Sequence, residues 1–208
     1  MTTPHSKIRL LYARVRRALQ AGHYIPGQRI DPAILAAELN TSEMPARFAL
    51  ARLVGRGLLD HQARGGVYLP LPSELELRDR YEWMLLLLTE ACDRSRARFQ
   101  RDVRKLDVRP EDDLVKLTWQ LFDAIGKSTG KMFLHDEIKR CNDRLAPIRR
   151  AKHHLIDEPF EELAHLNQQW EARDMPALKL ALNDYHARRK QLVPCIVATL
   201  KQQADQLN

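Results

Sequence analysis

Apolar residues recur at Ile8, Leu11, Tyr12, Val15 and Leu19, offsets that mark one face of a helix and leave Arg9, Arg14, Arg16 and Arg17 on the others. Gly22 closes this helix, and Tyr24-Ile-Pro-Gly-Gln reads as a turn, because Pro fixes one φ and Gly frees the next. Asp31-Pro32 opens a second helix: the carboxylate can cap free backbone N–H groups, and Pro at the first helical position gives up a hydrogen bond that is missing there anyway. Its apolar stripe is Ile34, Leu35 and Leu39, and it stops at Asn40. Thr41 and Ser42 are suited to cap a third helix, with Pro45 inside its first turn. There Ala46, Ala49, Leu50 and Leu53 can face inward while Arg47, Arg52 and Arg56 face out. After Gly55 and Gly57, Leu58–Gln62 and Val67–Leu69 read as two short strands around Ala63-Arg-Gly-Gly66, whose adjacent glycines supply the positive φ values of a tight hairpin. Three helices and a β-hairpin wing make the layout of a winged helix-turn-helix.

Pro70-Leu-Pro-Ser marks the expected boundary between a domain over 1–70 and a second over 71–208: two prolines stiffen the link and Ser73 can cap the next helix. Beyond it the periodicity is helical throughout, over roughly 73–106 with a break near Cys92, then 110–127, 131–156, 159–173 and 175–205. Pro147 and Pro194 fall inside these patterns, and each predicts a kink or a break. The fold class expected is mainly α, a winged head followed by an antiparallel helical bundle.

Charge sharpens this picture. Of the chain's formal +7, residues 1–70 carry +6, from ten basic residues against four acidic ones, and the remainder carries +1. A charge confined to one end points to a polyanion partner for that end. The hydrophobic fraction of 44% with 29% charged residues is that of an ordinary globular protein, and the longest apolar run, Met84–Leu88, is far short of a membrane span. The opening Met-Thr-Thr-Pro-His-Ser-Lys has no apolar signal core, so a cytoplasmic location is expected. Cys92, Cys141 and Cys195 are widely spaced and read as reduced thiols. A glycine-rich phosphate loop, HExxH, a nucleophile elbow and paired cysteines are all missing, so no enzymatic reading is supported.

In a helix-turn-helix the second helix of the pair enters the major groove N-terminus first, while flanking basic residues hold phosphates. Here that helix presents Ser42, Glu43, Met44 and Arg47, with Arg52 behind them and Arg64 and Gly65 at the wing tip. Arg47 suits either bidentate pairing with guanine or a phosphate contact. The same stretch resembles the GntR family of regulators. The resemblance rests on Leu11-Tyr-Ala-Arg-Val-Arg-Arg-Ala-Leu-Gln-Ala-Gly-His-Tyr-Ile-Pro-Gly-Gln-Arg-Ile, on Leu35-Ala-Ala-Glu-Leu-Asn-Thr-Ser-Glu-Met-Pro-Ala-Arg-Phe-Ala-Leu-Ala-Arg-Leu, and on Gly57-Leu-Leu with Arg64-Gly-Gly-Val-Tyr. It implies DNA contacts for Ser42, Arg47, Arg64 and Gly65. Two positions depart from the family: Glu43 stands where a base-reading arginine is usual, and Phe48 where a glutamate is usual. A carboxylate cannot donate to guanine but can accept from cytosine N4, so an operator unlike the commonest one is expected.

The second part resembles, more loosely, the helical (FCD-type) domain of the FadR-like branch, at Arg78-Asp-Arg-Tyr-Glu82, Leu121–Lys131 and Asp174–Arg189. Many such domains hold a divalent metal through one Asp and three His. The corresponding positions here are Thr118, Phe122, a position near Leu163–His165, and His186, so the resemblance implies a degraded site; neither a metal nor another cofactor is expected. Phe122 makes a pocket between these helices more apolar, and Arg78, Arg80, Glu82, Thr118, Lys131, His165 and His186 are its polar candidates, suited to an organic acid. His153-His154, set among Arg149, Arg150 and Lys152, reads as a solvated basic face. The expected function is a homodimeric, effector-controlled repressor on a palindromic double-stranded operator, with an architectural DNA-binding dimer lacking effector control as the alternative.

Overall fold

The computed structural model describes residues 4–62, 65–95, 109, 112–151 and 155–207. Helix α1 (Pro4–Ala21) leads to strand β1 (Arg29–Ile30), α2 (Pro32–Glu38), α3 (Glu43–Gly55), and strands β2 (Asp60–His61) and β3 (Val67–Tyr68). Val15 and Leu19 of α1 pack with Leu35 of α2 and with Ala46, Leu50 and Leu53 of α3 in one apolar cluster. Ala46 and Ala49 are fully buried, and their small side chains let α3 lie close against the rest of the head. Asp31 caps α2 by accepting from the Ala33 backbone N–H at 2.7 Å. α2 ends before Asn40, which turns the chain with φ of 49°, a conformation asparagine tolerates. Ser42 occupies the cap position of α3 in extended conformation, but its side chain makes no capping bond, contrary to the sequence expectation.

The two predicted wing strands form and pair antiparallel, Asp60 opposite Tyr68 and His61 opposite Val67. A third strand, β1, was not expected: it pairs on the other side of β3, with Ile30 opposite Val67, giving the order β1-β3-β2. Two residues are too few to show a period-2 pattern, and only tertiary packing of Ile30, 1% exposed, commits them to a strand.

The helical domain comprises α4 (Glu74–Arg94), α5 (Leu114–Lys127), α6 (Met132–Ala151), α7 (Pro159–Ala172), α8 (Met175–Gln191) and α9 (Val193–Asp205), among the described residues. They share a second apolar cluster, separate from the head's, that includes Leu77, Tyr81, Leu121, Phe122, Ile138, Leu182 and Leu200. A capping box starts α4: Glu76 N–H donates to Ser73 Oγ at 3.2 Å and Ser73 N–H to Glu76 at 2.8 Å. The Ser73 bonds hold the Glu76 carboxyl below its usual pKa. α4 ends at Arg94; residues 96–108 of the expected first helix lie outside the described residues. The expected helix over 175–205 divides at Leu192, because Pro194 can begin a helix but not continue one. Pro147, by contrast, sits inside the unbroken span of α6.

α6 is also the seam between head and bundle. Asp143, 8% exposed, accepts two bonds from Arg16 of α1, at 2.6 and 2.8 Å, one from Gln20 at 2.7 Å and one from Trp119 of α5 at 2.8 Å. Arg144 donates to the backbone oxygens of Gly57 and Arg56, and Arg150 to that of Gln20. Arg150 also pairs with Asp113, the cap of α5, at 2.7 Å.

Candidate nucleic-acid interface and internal cavity

The apolar side of α3 is locked into the head, which turns its first two turns outward. Met44 is 63% and Phe48 55% exposed, and Ser42, Glu43 and Arg47 stand beside them in solvent. Arg47 does not project freely: its Nε donates to Glu43 at 2.8 Å and its Nη2 at 2.5 Å, an i,i+4 ion pair on the helix surface. Arg52 and Arg56 lie over the Tyr12 ring, 5.1 and 5.8 Å from its centroid, so their guanidiniums rest on α1 rather than on the leading end of α3. At the wing tip Gly65 and Gly66 take φ of 81° and 107°, a region that favours glycine. Arg64 lies outside the described residues.

Residues 7–69 match the family model for bacterial regulatory proteins of the gntR family. They form a gntR-type domain, about a third of the chain. Among solved structures, the chain resembles McbR/YncC of E. coli, at 20% identity and TM-score 0.64 over 95% of this chain and 98% of that one. It also resembles a GntR structure from Rhodococcus sp. RHA1, at 15% identity and TM-score 0.65, covering 90% and 97%. At these identities the likeness is one of fold, and it extends through the helical domain behind the GntR head. No curated protein matches the chain. No helix among the described residues is long and apolar enough to cross a membrane.

Behind the GntR head, the bundle holds a small, partly open cavity of about 20 Å³, lined by residues that include Thr118, Arg149, Ile156, Pro159, Tyr185 and Arg189. Of the eight residues the sequence offered for an effector, Thr118 lines it, while Phe122 and His186 are packed just beside it, both fully buried and stacked 6.0 Å apart. The other five lie elsewhere. Arg78 donates to the Lys190 backbone oxygen and Glu82 pairs with Lys190 at 3.2 Å, both fastening α4 to the end of α8. Arg80 is pressed against the seam, where burial and the neighbouring Arg144 lower its pKa. Lys131 and His165 are exposed.

These positions do not fit a divalent ion. The Thr118 hydroxyl donates to the Leu114 oxygen, Phe122 has no ligating atom, and His186 Nδ1 is taken by the Leu182 oxygen at 2.8 Å. Among the described residues no three His, Cys, Asp or Glu side chains gather as a metal site.

The two charged residues of the cavity wall, Arg149 and Arg189, were missed from sequence. Arg149, assigned above to a solvated face, is only 6% exposed, because its stem lies across the core and its guanidinium over the Phe122 ring, 5.3 Å from the centroid. Lys152, His153 and His154 of that stretch lie outside the described residues. Arg189, 4% exposed, pairs with buried Glu162 at 2.5 and 2.9 Å. Burial works against its cation, but the Tyr185 and Glu162 oxygens outweigh it and keep its pKa above the ordinary guanidinium value. A single arginine in a helical run carries no sequence mark of burial; only the inward spacing of Asn142, Leu145 and Arg149 hints at it.

Proposed function

We propose that this GntR-family protein is a sequence-specific repressor whose operator affinity is set by a small organic acid bound in the helical domain. The observation that carries the DNA reading is the leading end of α3, where Ser42, Glu43, Met44, Arg47 and Phe48 share a solvent-facing surface anchored from behind by Ala46, Ala49, Leu50 and Leu53. This surface is unusual in its chemistry. Met44 and Phe48 suit thymine methyl groups, Glu43 suits cytosine N4, and Arg47 suits guanine or phosphate once it leaves Glu43. Gly65 and Arg64 at the wing and Arg52 behind the helix serve the phosphates.

The effector reading is supported by the seam. α6 carries Arg149 at the cavity and Asp143, Arg144 and Arg150 against the head, so a ligand that shifts α6 shifts the head with it. The ligand acts only if it binds two head arrangements with different affinity. Leu75, Trp83 and Leu86 form an exposed apolar stripe on α4, 70%, 49% and 62% exposed, suited to pair two copies as a homodimer on a palindrome. Such a protein acts in the cytoplasm, on chromosomal DNA, without a metal cofactor or a catalytic step.

Binding to DNA from the gene's own upstream region, against random DNA at two salt concentrations, tests this. A preference of roughly 10³ or more that survives the higher salt supports it. Equal, salt-sensitive binding to both replaces it with the architectural reading, which the Glu43–Arg47 pair favours because it occupies a base-reading side chain.

A further inference from the structure

Where α1 of the head meets α5 and α6 of the bundle, the seam leaves a half-open cavity of about 310 Å³, against about 20 Å³ for the space inside the bundle. Small-molecule sites begin at about 300 Å³ and form preferentially between domains. The floor of this cavity is apolar. Val115 is 3% exposed and Ala146 fully buried, and Trp119 adds ring surface, since its indole N–H is already given to Asp143 at 2.8 Å. The rim is cationic. Arg150 is matched by Asp113 at 2.7 Å, but Lys116 of α5 and Arg17 of α1 have no carboxylate within ion-pair distance among the described residues. Arg17 Nε donates only to the backbone oxygen of Ala13, one turn back on its own helix, at 3.3 Å. Two uncompensated positive charges thus border an apolar floor, one on each side of the seam.

We propose that the seam cavity is a ligand site for an aromatic anion, with a flat ring packed on Trp119, Val115 and Ala146 and the negative group held between Lys116 and Arg17. Covering the floor removes apolar surface from water, and an aromatic partner gains from the Trp119 ring beyond the area it buries. The two rim cations favour an anion over its neutral analogue, and at the rim the charged group keeps part of its hydration. Because Lys116 and Arg17 belong to different domains, the bound anion fastens head to bundle beside the Arg16–Asp143 pair. It therefore favours the docked arrangement over any in which the seam has opened. The site stands on its own chemistry, and neither the operator nor the effector of the bundle is needed for it.

The test uses the full chain, with 1-naphthoate and 1-naphthyl phosphate as probes, 1-naphthamide as the neutral counterpart and acetate as the anion without a ring, following heat of binding and Tm. A naphthyl anion is expected to bind one saturable site per chain and to raise Tm, about fivefold more tightly than the amide, with acetate inert. Whichever anion binds more tightly identifies the head group as carboxylate or phosphate. Lys116→Gln, at an exposed position, should weaken the anion about threefold. Ala21→Trp, which fills the cavity from its exposed rim, should abolish binding. Asp143→Ala, which loosens the seam, should weaken binding as well. The site is overturned if neither anion binds, if the amide binds as tightly as the anions, or if a folded Ala21→Trp or Asp143→Ala chain binds undiminished. Should those two variants not fold, Lys116→Gln decides, because Lys116 is exposed and holds no ion pair: undiminished binding there also overturns the site.

Discussion

Arg16 on α1 and Asp143 on α6 join the DNA-binding head to the helical domain through a two-pronged ion pair, 2.6 and 2.8 Å long. The pair lies 127 residues apart in sequence, and Asp143 also receives Gln20 and the Trp119 indole, so one buried carboxylate gathers three donors from two helices. Burial disfavours the Arg16 cation, but the Asp143 hydrogen bond and charge outweigh it, leaving its pKa raised. Removing the carboxylate leaves three donors unmatched near the interior.

Asp143→Ala is therefore expected to lower stability by about 2–4 kcal/mol, and a double-mutant cycle with Arg16→Ala to return a coupling of roughly 1–3 kcal/mol. Urea denaturation measures both. A coupling near zero would show the pair to be incidental to the seam.

On α3, Glu43→Gln releases Arg47 and, at the proposed DNA interface, removes a negative charge that would face phosphates. Operator affinity should rise several-fold, with the salt dependence steepening. Arg47→Ala should lower affinity by about 1–3 kcal/mol; a salt slope smaller by about 1 marks a phosphate contact, and relaxed preference at one base pair marks a guanine contact. Fluorescence anisotropy on operator variants separates the two.

The head and the bundle have separate apolar clusters. Leu53→Ala, in the fully buried centre of the head, is expected to cost about 2–5 kcal/mol there. Calorimetry should show the head's transition moving down while the bundle's stays; a single transition that shifts as a whole would show the two cores melting as one.

Asp113 offers a pH signature. Burial pushes its carboxyl up, but hydrogen bonds from Arg150 and the Lys116 backbone outweigh this, and its pKa ends below the usual value. A group with a depressed folded pKa contributes stability that is whole above the ordinary carboxylate range and is lost as pH falls through the folded value. The urea midpoint should thus fall more steeply below about pH 4 in the wild type than in Asp113→Asn. Parallel curves would deny Asp113 that role.

A charge on the α4 stripe tests the dimer. If the proposed homodimer pairs through this stripe, Leu86→Glu, at a 62% exposed position, should leave the fold intact and yield a monomer by light scattering, with operator affinity falling in step. An unchanged oligomer places the interface elsewhere.

The winged head was legible because each of its elements carries a local signal: the Asp31-Pro32 start, the Ala46-Ala49-Leu50-Leu53 face, and the two wing glycines. The bundle's helices were legible by periodicity, and even the division at Pro194 follows from proline's missing N–H. What the sequence by itself determined is thus what each segment is: helix or strand, which face is apolar, where positive charge collects. Only the tertiary structure decided which polar residues meet. Asp143 finds Arg16, Glu162 finds Arg189, and Arg149 is left buried with no carboxylate beside it among the described residues, because these encounters are set by how helices cross, not by spacing along any one of them. The same physics hid β1, whose two residues become a strand only once β3 lies beside them.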